Sequence, residues 1–361
     1  MTDTVGPLRH HEAMGSDIRA GTYTEHATST YTLAEKAILN GAFDEAADLA
    51  EYTIREGQEA FDLFPDWMKI IPKYMCDRGV DEATLQDADQ RIQKLIANQD
   101  GSIFDPAAGW RDYKALIADV VQLCARRQES DAIVKLSTAR SVWRDTHDRL
   151  CDGVYGWVDA VARTLGEAEV GLLWDHLMSP MYGYYDQYDT DRNPWVRSSD
   201  MLIHIALEGL RGHLTGPGRK GDLEVEEQKD RWAIRFDPCG SGGRTMRDDP
   251  DTGTGPRIEA PYGFGVTTEQ HDWAWNKTGV CLYCAHCCVL NEQMPIRRFG
   301  YPTRVVEPPT WPAAKRGGKC TWYIYKDPVL VPDDVYRRTG NSKPAALGGS
   351  RQKAPPETSR S

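Results

Sequence analysis

Six of the nine cysteines lie after residue 215, and four of them fall in one run, Cys281-Leu-Tyr-Cys284-Ala-His286-Cys287-Cys288. No other feature constrains the fold as strongly. Thiols three residues apart in a turn can point at a single centre while N–H groups of the turn support the sulfur charge. Free cysteine is also one of the most buried residue types. Burial alone suits Cys76, Cys124 and Cys151, which stand singly in helical stretches. It suits a run of four poorly. The segment Met1–Ala20 has no apolar leader, so a cytoplasmic, reducing location is expected. The run then points to a bound metal rather than to disulfides.

A compact site needs distant ligands to close it. The preferred set is Cys239, His271, Cys284 and Cys287, with Cys281, His286 and Cys288 as substitutes. Zinc is expected from the ligand types, with an iron–sulfur cluster as the alternative. A CxxCxxC run opens ferredoxin-type sites, but Cys288 is followed by Val289 and not by proline. Cys239 or Cys320 could supply the fourth iron ligand. Cys239 opens the loop Cys239-Gly-Ser-Gly-Gly243-Arg244. Such a loop can turn several N–H groups toward one anion, or can simply reverse the chain. Arg244 adds a candidate carboxylate contact.

Charge divides the chain. Residues 1–215 hold 21 Lys+Arg and 36 Asp+Glu, giving 21 - 36 = -15, and residues 216–361 hold 22 and 18, giving +4; the sum is the total of -11. An acidic chain excludes broad nucleic-acid binding, and no stretch approaches 18 apolar residues, so no membrane span is expected. Proline rises from 6 in the first part to 15 in the second. The expected fold is α+β: an acidic all-helical domain over 27–215, then a smaller, loop-rich, metal-stapled β-containing domain over 216–340. The linker is Gly216–Gly221. Residues 1–26 are expected to be loosely ordered and 341–361 disordered.

Helices are expected over 32–40, 43–56, 67–78, 82–98, 110–127, 131–165, 167–185 and 198–213. Gly41 is placed for a left-handed cap. Strands are expected over 223–227, 232–236, 303–306 and 321–325, the first two as a hairpin. The aromatic-rich stretch from Trp174 to Tyr188, with Trp273, supplies substrate-contact candidates Trp174, Tyr182, Tyr185 and Trp273. The same rings could equally fill a core. His176, His204 and Arg244 are candidate catalytic residues, His204 as a proton-transfer partner of Glu208 four residues on.

The segment Lys319-Cys320-Thr-Trp-Tyr-Ile-Tyr325, with Glu307 and the Cys284–Cys288 group before it, resembles the ending of 4-vinyl reductase-like and aminothiazoline-carboxylate hydrolase-like small-molecule-binding domains. The resemblance covers about residues 200–335. It implies Cys287 or Cys288, Glu307 and Cys320 as zinc ligands, but Thr310 stands where that pattern has a further cysteine. The expected function is a zinc-dependent enzyme acting on a small organic molecule by hydrolysis, elimination or a related non-redox step. A small-molecule sensor or interaction protein with structural zinc, and an iron–sulfur redox protein, are the alternatives. Expected partners are a small-molecule substrate or ligand, without nucleic acid or membrane; a homo-oligomer is compatible with the sequence.

Overall fold

The computed structural model describes residues 6–249 and 252–348. Helices α1 (Thr30–Leu39) and α2 (Phe43–Asp77) open the helical part. Ser29 caps α1, its Oγ accepting the Thr32 N–H at 3.3 Å, and Gly41 at φ +73° reverses the chain. The two helices expected over 43–56 and 67–78 are one. Ala60, Phe64 and Trp67 continue the buried stripe of α2, so packing carries the helix through Pro65 and Pro72.

Helices α3 (Glu82–Ile96), α4 (Pro106–Ala125), α5 (Glu129–Leu165), α6 (Glu169–Met178), α7 (Tyr182–Tyr185) and α8 (Trp195–Gly212) follow. Asp81 and Asp105 cap α3 and α4, accepting the N–H groups of Thr84 and Ala107. Every residue of α5 from Leu150 to Val161 is buried. A helix covered all round lies at the centre of a fold, and α5 is that centre.

Strands β1 (Leu8–His11) and β2 (Ser16–Arg19) form an antiparallel hairpin. The expectation of a loose N-terminus is therefore corrected for the described residues. Arg19 is buried and donates to Thr28 O at 2.6 Å and Thr30 Oγ1 at 3.1 Å, which fastens the hairpin to the start of α1. Residues 1–5 and 349–361 lie outside the described residues, and a short helix occupies Ala345–Gly348.

Beyond α8, β3 (Glu224–Glu227), β4 (Arg231–Phe236), β5 (Val305–Glu307) and β6 (Cys320–Tyr325) form an antiparallel sheet in the order β3-β4-β6-β5. The β3–β4 hairpin falls where the sequence places it. Between β4 and β5, α9 (His286–Cys288) runs into a π-helical stretch, Val289–Gln293, and then α10 (Met294–Phe299). Helix α11 (Asp333–Arg337) follows β6. The fold is α+β, with no helix long and apolar enough to cross a membrane among the described residues.

One core crosses the expected boundary at residue 215. Leu49 of α2, Val161 of α5, Phe236 of β4, Leu282 and Ile324 of β6 belong to the same buried cluster. Buried ion pairs reinforce it. Arg244 Nη2 meets Asp152 Oδ1 at 2.7 Å, Arg257 Nε meets Asp152 Oδ2 at 3.0 Å, and Arg219 Nη2 meets Asp148 Oδ1 at 2.7 Å. Both aspartates sit on α5 and all three arginines come from the second part. Arg211 of α8 meets Glu56 of α2 at 2.5 Å with both side chains enclosed.

Removing one member of such a pair strands the other charge in the interior. Asp152→Ala leaves Arg244 and Arg257 short of their shared carboxylate and is expected to destabilise the protein by about 3–5 kcal/mol, measured by urea unfolding. A change below about 1 kcal/mol would contradict the structural role assigned to this network.

Candidate metal centre and adjoining cavity

Antiparallel pairing sets Phe236 at the end of β4 opposite Cys320 at the start of β6. Cys239 lies three residues beyond Phe236, so the sheet itself delivers two thiols to one end. Its loop packs against the end of α8: a Cβ on Gly240 would stand 1.7 Å from His213 O. Over that loop lies the cysteine run, where a Cβ on Gly242 would stand 2.4 Å from Cys284 Sγ. Glycine is required at both positions by close approach.

Cys239, Cys284, Cys287 and Cys320 consequently line one small cavity, closed by Trp275, Tyr283, His286, Pro308, Pro309 and Trp322. Three of the expected set thus converge. His271 does not join them. Its Nε2 meets Glu167 Oε1 at 2.9 Å, and its ring stacks on Trp273 with centroids 4.5 Å apart. Cys281 is buried to one side, receiving the Cys284 N–H at 3.3 Å and standing 3.8 Å from Thr245 Oγ1. Cys288 turns away toward Asp272 O at 3.5 Å. Glu307 is engaged by Lys277 and Arg338. His286 lines the cavity; its Nδ1 meets Tyr283 O at 2.6 Å and its Nε2 lies 3.3 Å from Cys287 Sγ.

Burial and mutual crowding keep the cavity thiols protonated. The contact with Cys281, then burial, raises the Cys284 pKa well above the ordinary thiol value. Burial, then the neighbouring Cys239, does the same to Cys287 and Cys320. Thiols crowded in this way stay neutral unless positive charge arrives.

A second cavity of about 630 Å³ adjoins the first, and Tyr283, His286, Cys287 and Trp322 line both. That volume suits a small organic molecule. Its walls are mainly apolar, from Phe64 and Trp67 on α2, Met178 at the end of α6, Met181, Tyr185 and Tyr188 after it, and Ile205 and Leu210 on α8. Polar groups also line it, among them Glu59, Arg304 and His213. The Glu59 carboxyl is accessible within the cavity yet surrounded by protein, and burial raises its pKa against the opposing pull of Arg304. Arg304 donates to Tyr185 OH at 2.6 Å and lies over the Trp322 ring at 5.1 Å.

His213 ends a buried chain. Asp148 Oδ1 lies 2.9 Å from His147 Nδ1, and His147 Nε2 lies 2.8 Å from His213 Nδ1. Burial alone would raise the Asp148 pKa, but Arg219 and Arg244 outweigh it and hold the carboxyl ionised. With Asp148 as acceptor, His147 carries its proton on Nδ1 and receives the His213 Nδ1–H on Nε2. His213 Nε2 is then left as a proton acceptor on the ring that lines the cavity. Burial, then His147 and His286, lowers the His213 pKa, and burial lowers that of His147 despite Asp148.

Of the other sequence candidates, Tyr185 lines the large cavity. Trp174 lies behind it, donating to Leu282 O at 2.9 Å, and Tyr182 donates to Asp175 Oδ1 at 2.6 Å. Trp273 packs against Gly171 beside His271. His176 is exposed next to Tyr74, Arg244 is consumed by Asp148 and Asp152, and His204 lies in a separate cluster near the N-terminal hairpin. The chain from Asp148 to His213 escaped the sequence reading because its members lie 66 residues apart on α5 and just after α8; only the adjacency of His147 and Asp148 was visible.

Two outcomes follow from this geometry. Gly242→Ala is expected to displace Cys284 from the cysteine cavity while leaving the helical core folded, measured by thiol reactivity and circular dichroism. Because His147 and His213 bind protons more weakly in the folded chain than in the unfolded one, their contribution to stability falls as pH drops below about 6.5. Asn at position 213 cannot take up the proton, so His213→Asn is expected to flatten that fall in denaturation midpoints between about pH 6.5 and 5; an unchanged slope would contradict a buried neutral His213. Comparison with known proteins finds no matching family model, no match among curated proteins and no matching solved structure.

Proposed function

We propose that the protein is an oxidoreductase in which Cys239, Cys284, Cys287 and Cys320 hold an iron–sulfur cluster beside a binding cavity for a small, largely apolar molecule. The observation that carries this reading is the pair of cavities sharing Tyr283, His286, Cys287 and Trp322. The spread of the thiols favours a cluster over a single ion. Four sulfurs on one zinc at about 2.3 Å would stand about 3.8 Å apart. The described residues include all nine cysteines, and the group of three or more potential ligands whose atoms lie within 4.8 Å of one another is His11, Asp200 and His204. No three cavity sulfurs all lie within 4.8 Å of one another, and thiolates on different irons of one cluster stand farther apart than those on a single zinc.

Such a cluster, when bound, supplies one electron at a time to a neighbouring acceptor. The protein's own groups do the rest. Aromatic walls hold an apolar body, Arg304 offers a charged hydrogen-bond donor, and His213 exchanges the proton that accompanies reduction or oxidation. Charge arriving on His213 is stabilised through His147 by Asp148.

Anaerobic purification tests this directly. A brown protein with stoichiometric iron and sulfide is expected. Ser at position 239, 284, 287 or 320 should each remove or degrade the absorbance, whereas Cys281→Ser and Cys288→Ser should retain it. A colourless protein with one zinc, lost in Cys284→Ser and Cys287→Ser, would overturn the redox reading and restore the zinc-dependent hydrolase or lyase expected from ligand type. A colourless protein without metal would overturn both.

A further inference from the structure

We infer that His11, Asp200 and His204 form a second metal site, built for a divalent transition ion of the zinc type, that pins the N-terminal hairpin to α8. The site stands apart from the cysteine cavity and from the function proposed above. His11 closes β1, while Asp200 and His204 are one turn apart on α8. One ligand atom from each lies within 4.8 Å of the other two. His11 Nε2 is 2.8 Å from Asp200 Oδ2 and His204 Nε2 is 3.6 Å from Asp200 Oδ1. Two imidazoles and a carboxylate are the donor set that zinc, cobalt and nickel share.

The surrounding groups give a second, independent indication. His204 is buried, and neither of its ring nitrogens has a hydrogen-bond partner. Buried polar atoms are normally satisfied, and a metal ion satisfies one of these. His26 stands beside His204 with ring centroids 5.3 Å apart, fully buried and also without a partner at either nitrogen. It is a further buried imidazole beside the site. Tyr23 donates to Asp200 and orients the carboxylate from behind, as an outer hydrogen bond does at a metal ligand.

In the metal-free arrangement a proton occupies the position of the ion. His11 Nδ1 receives the Met14 N–H at 3.2 Å, which leaves the ring proton on Nε2, facing Asp200. Coordination by Nε2 moves that proton to Nδ1 with loss of the Met14 contact. Binding is thereby coupled to a rearrangement of the turn between β1 and β2.

The test uses the full-length protein, stripped of labile ions with a mild chelator and titrated with zinc, and with cobalt as a spectroscopic probe. Wild-type protein is expected to bind one ion per chain with nitrogen and oxygen ligation, accompanied by a rise in Tm and slower amide exchange in residues 8–19. His11→Asn and Asp200→Asn should each lose that ion and the rise in Tm while keeping the full content of the cysteine centre. Cys284→Ser should do the reverse. Full zinc stoichiometry in both His11→Asn and Asp200→Asn, or cobalt spectra showing sulfur ligation alone, would overturn the site. Because His11 and Asp200 lie at the edge of the fold, these variants remain informative if His204→Asn fails to fold.

Discussion

Two carboxylates on one buried helix organise this molecule. Asp148 and Asp152 bring acidity into the centre of the fold, and Arg219, Arg244 and Arg257 converge on them from the loops of the second part. Buried ion pairs are weak sources of net stability, since desolvation offsets most of the attraction. Their effect here is positional. An arginine out of register would leave charge unpaired in the interior, so the loop from Cys239 to Arg257 has one low-energy seat on α5. That seat also fixes Cys239 beside the start of β6.

The same carboxylate serves a second purpose. Asp148 Oδ1, which meets Arg219 and Arg244, also accepts from His147, and His147 in turn orients His213. The network that seats the cysteine loop therefore also fixes the tautomer of a histidine lining the large cavity. The ion-pair network and the histidine chain thus share one residue. The π-helical stretch Val289–Gln293 supports the arrangement from the other side. It buries Glu292, which accepts from Trp275 Nε1 at 2.8 Å and from the Val306 N–H at 2.7 Å, bracing two segments that wall the cysteine cavity. Such bulges commonly mark functional sites.

Several parts of this arrangement were legible in the sequence. Hydrophobic periodicity located most of the helices, and alternation located the four strands of the larger sheet. The clustering of thiols singled out Cys239, Cys284 and Cys287, and the strand-opening Cys320 was among the alternatives. His271 was misplaced because closeness in sequence to Cys281 was taken for closeness in space, whereas Glu167 holds it elsewhere. The expected domain boundary dissolved for a related reason. A glycine- and proline-rich linker marks a change of local structure, but the two parts close over a common core.

Composition, spacing and periodicity alone determined that this is an α+β chain with an acidic helical part and a thiol-rich part, because those properties are local and additive. Which thiols meet, which face away and which histidine reaches the cavity were decided only by tertiary structure. Cys281 and Cys288 are chemically identical to Cys284 and Cys287, yet Cys281 faces Thr245 and Cys288 faces Asp272 O. The Asp148–His147–His213 chain has no sequence signature, since its geometry exists only when α5 packs against the end of α8. Long-range packing, not residue type, chose the site.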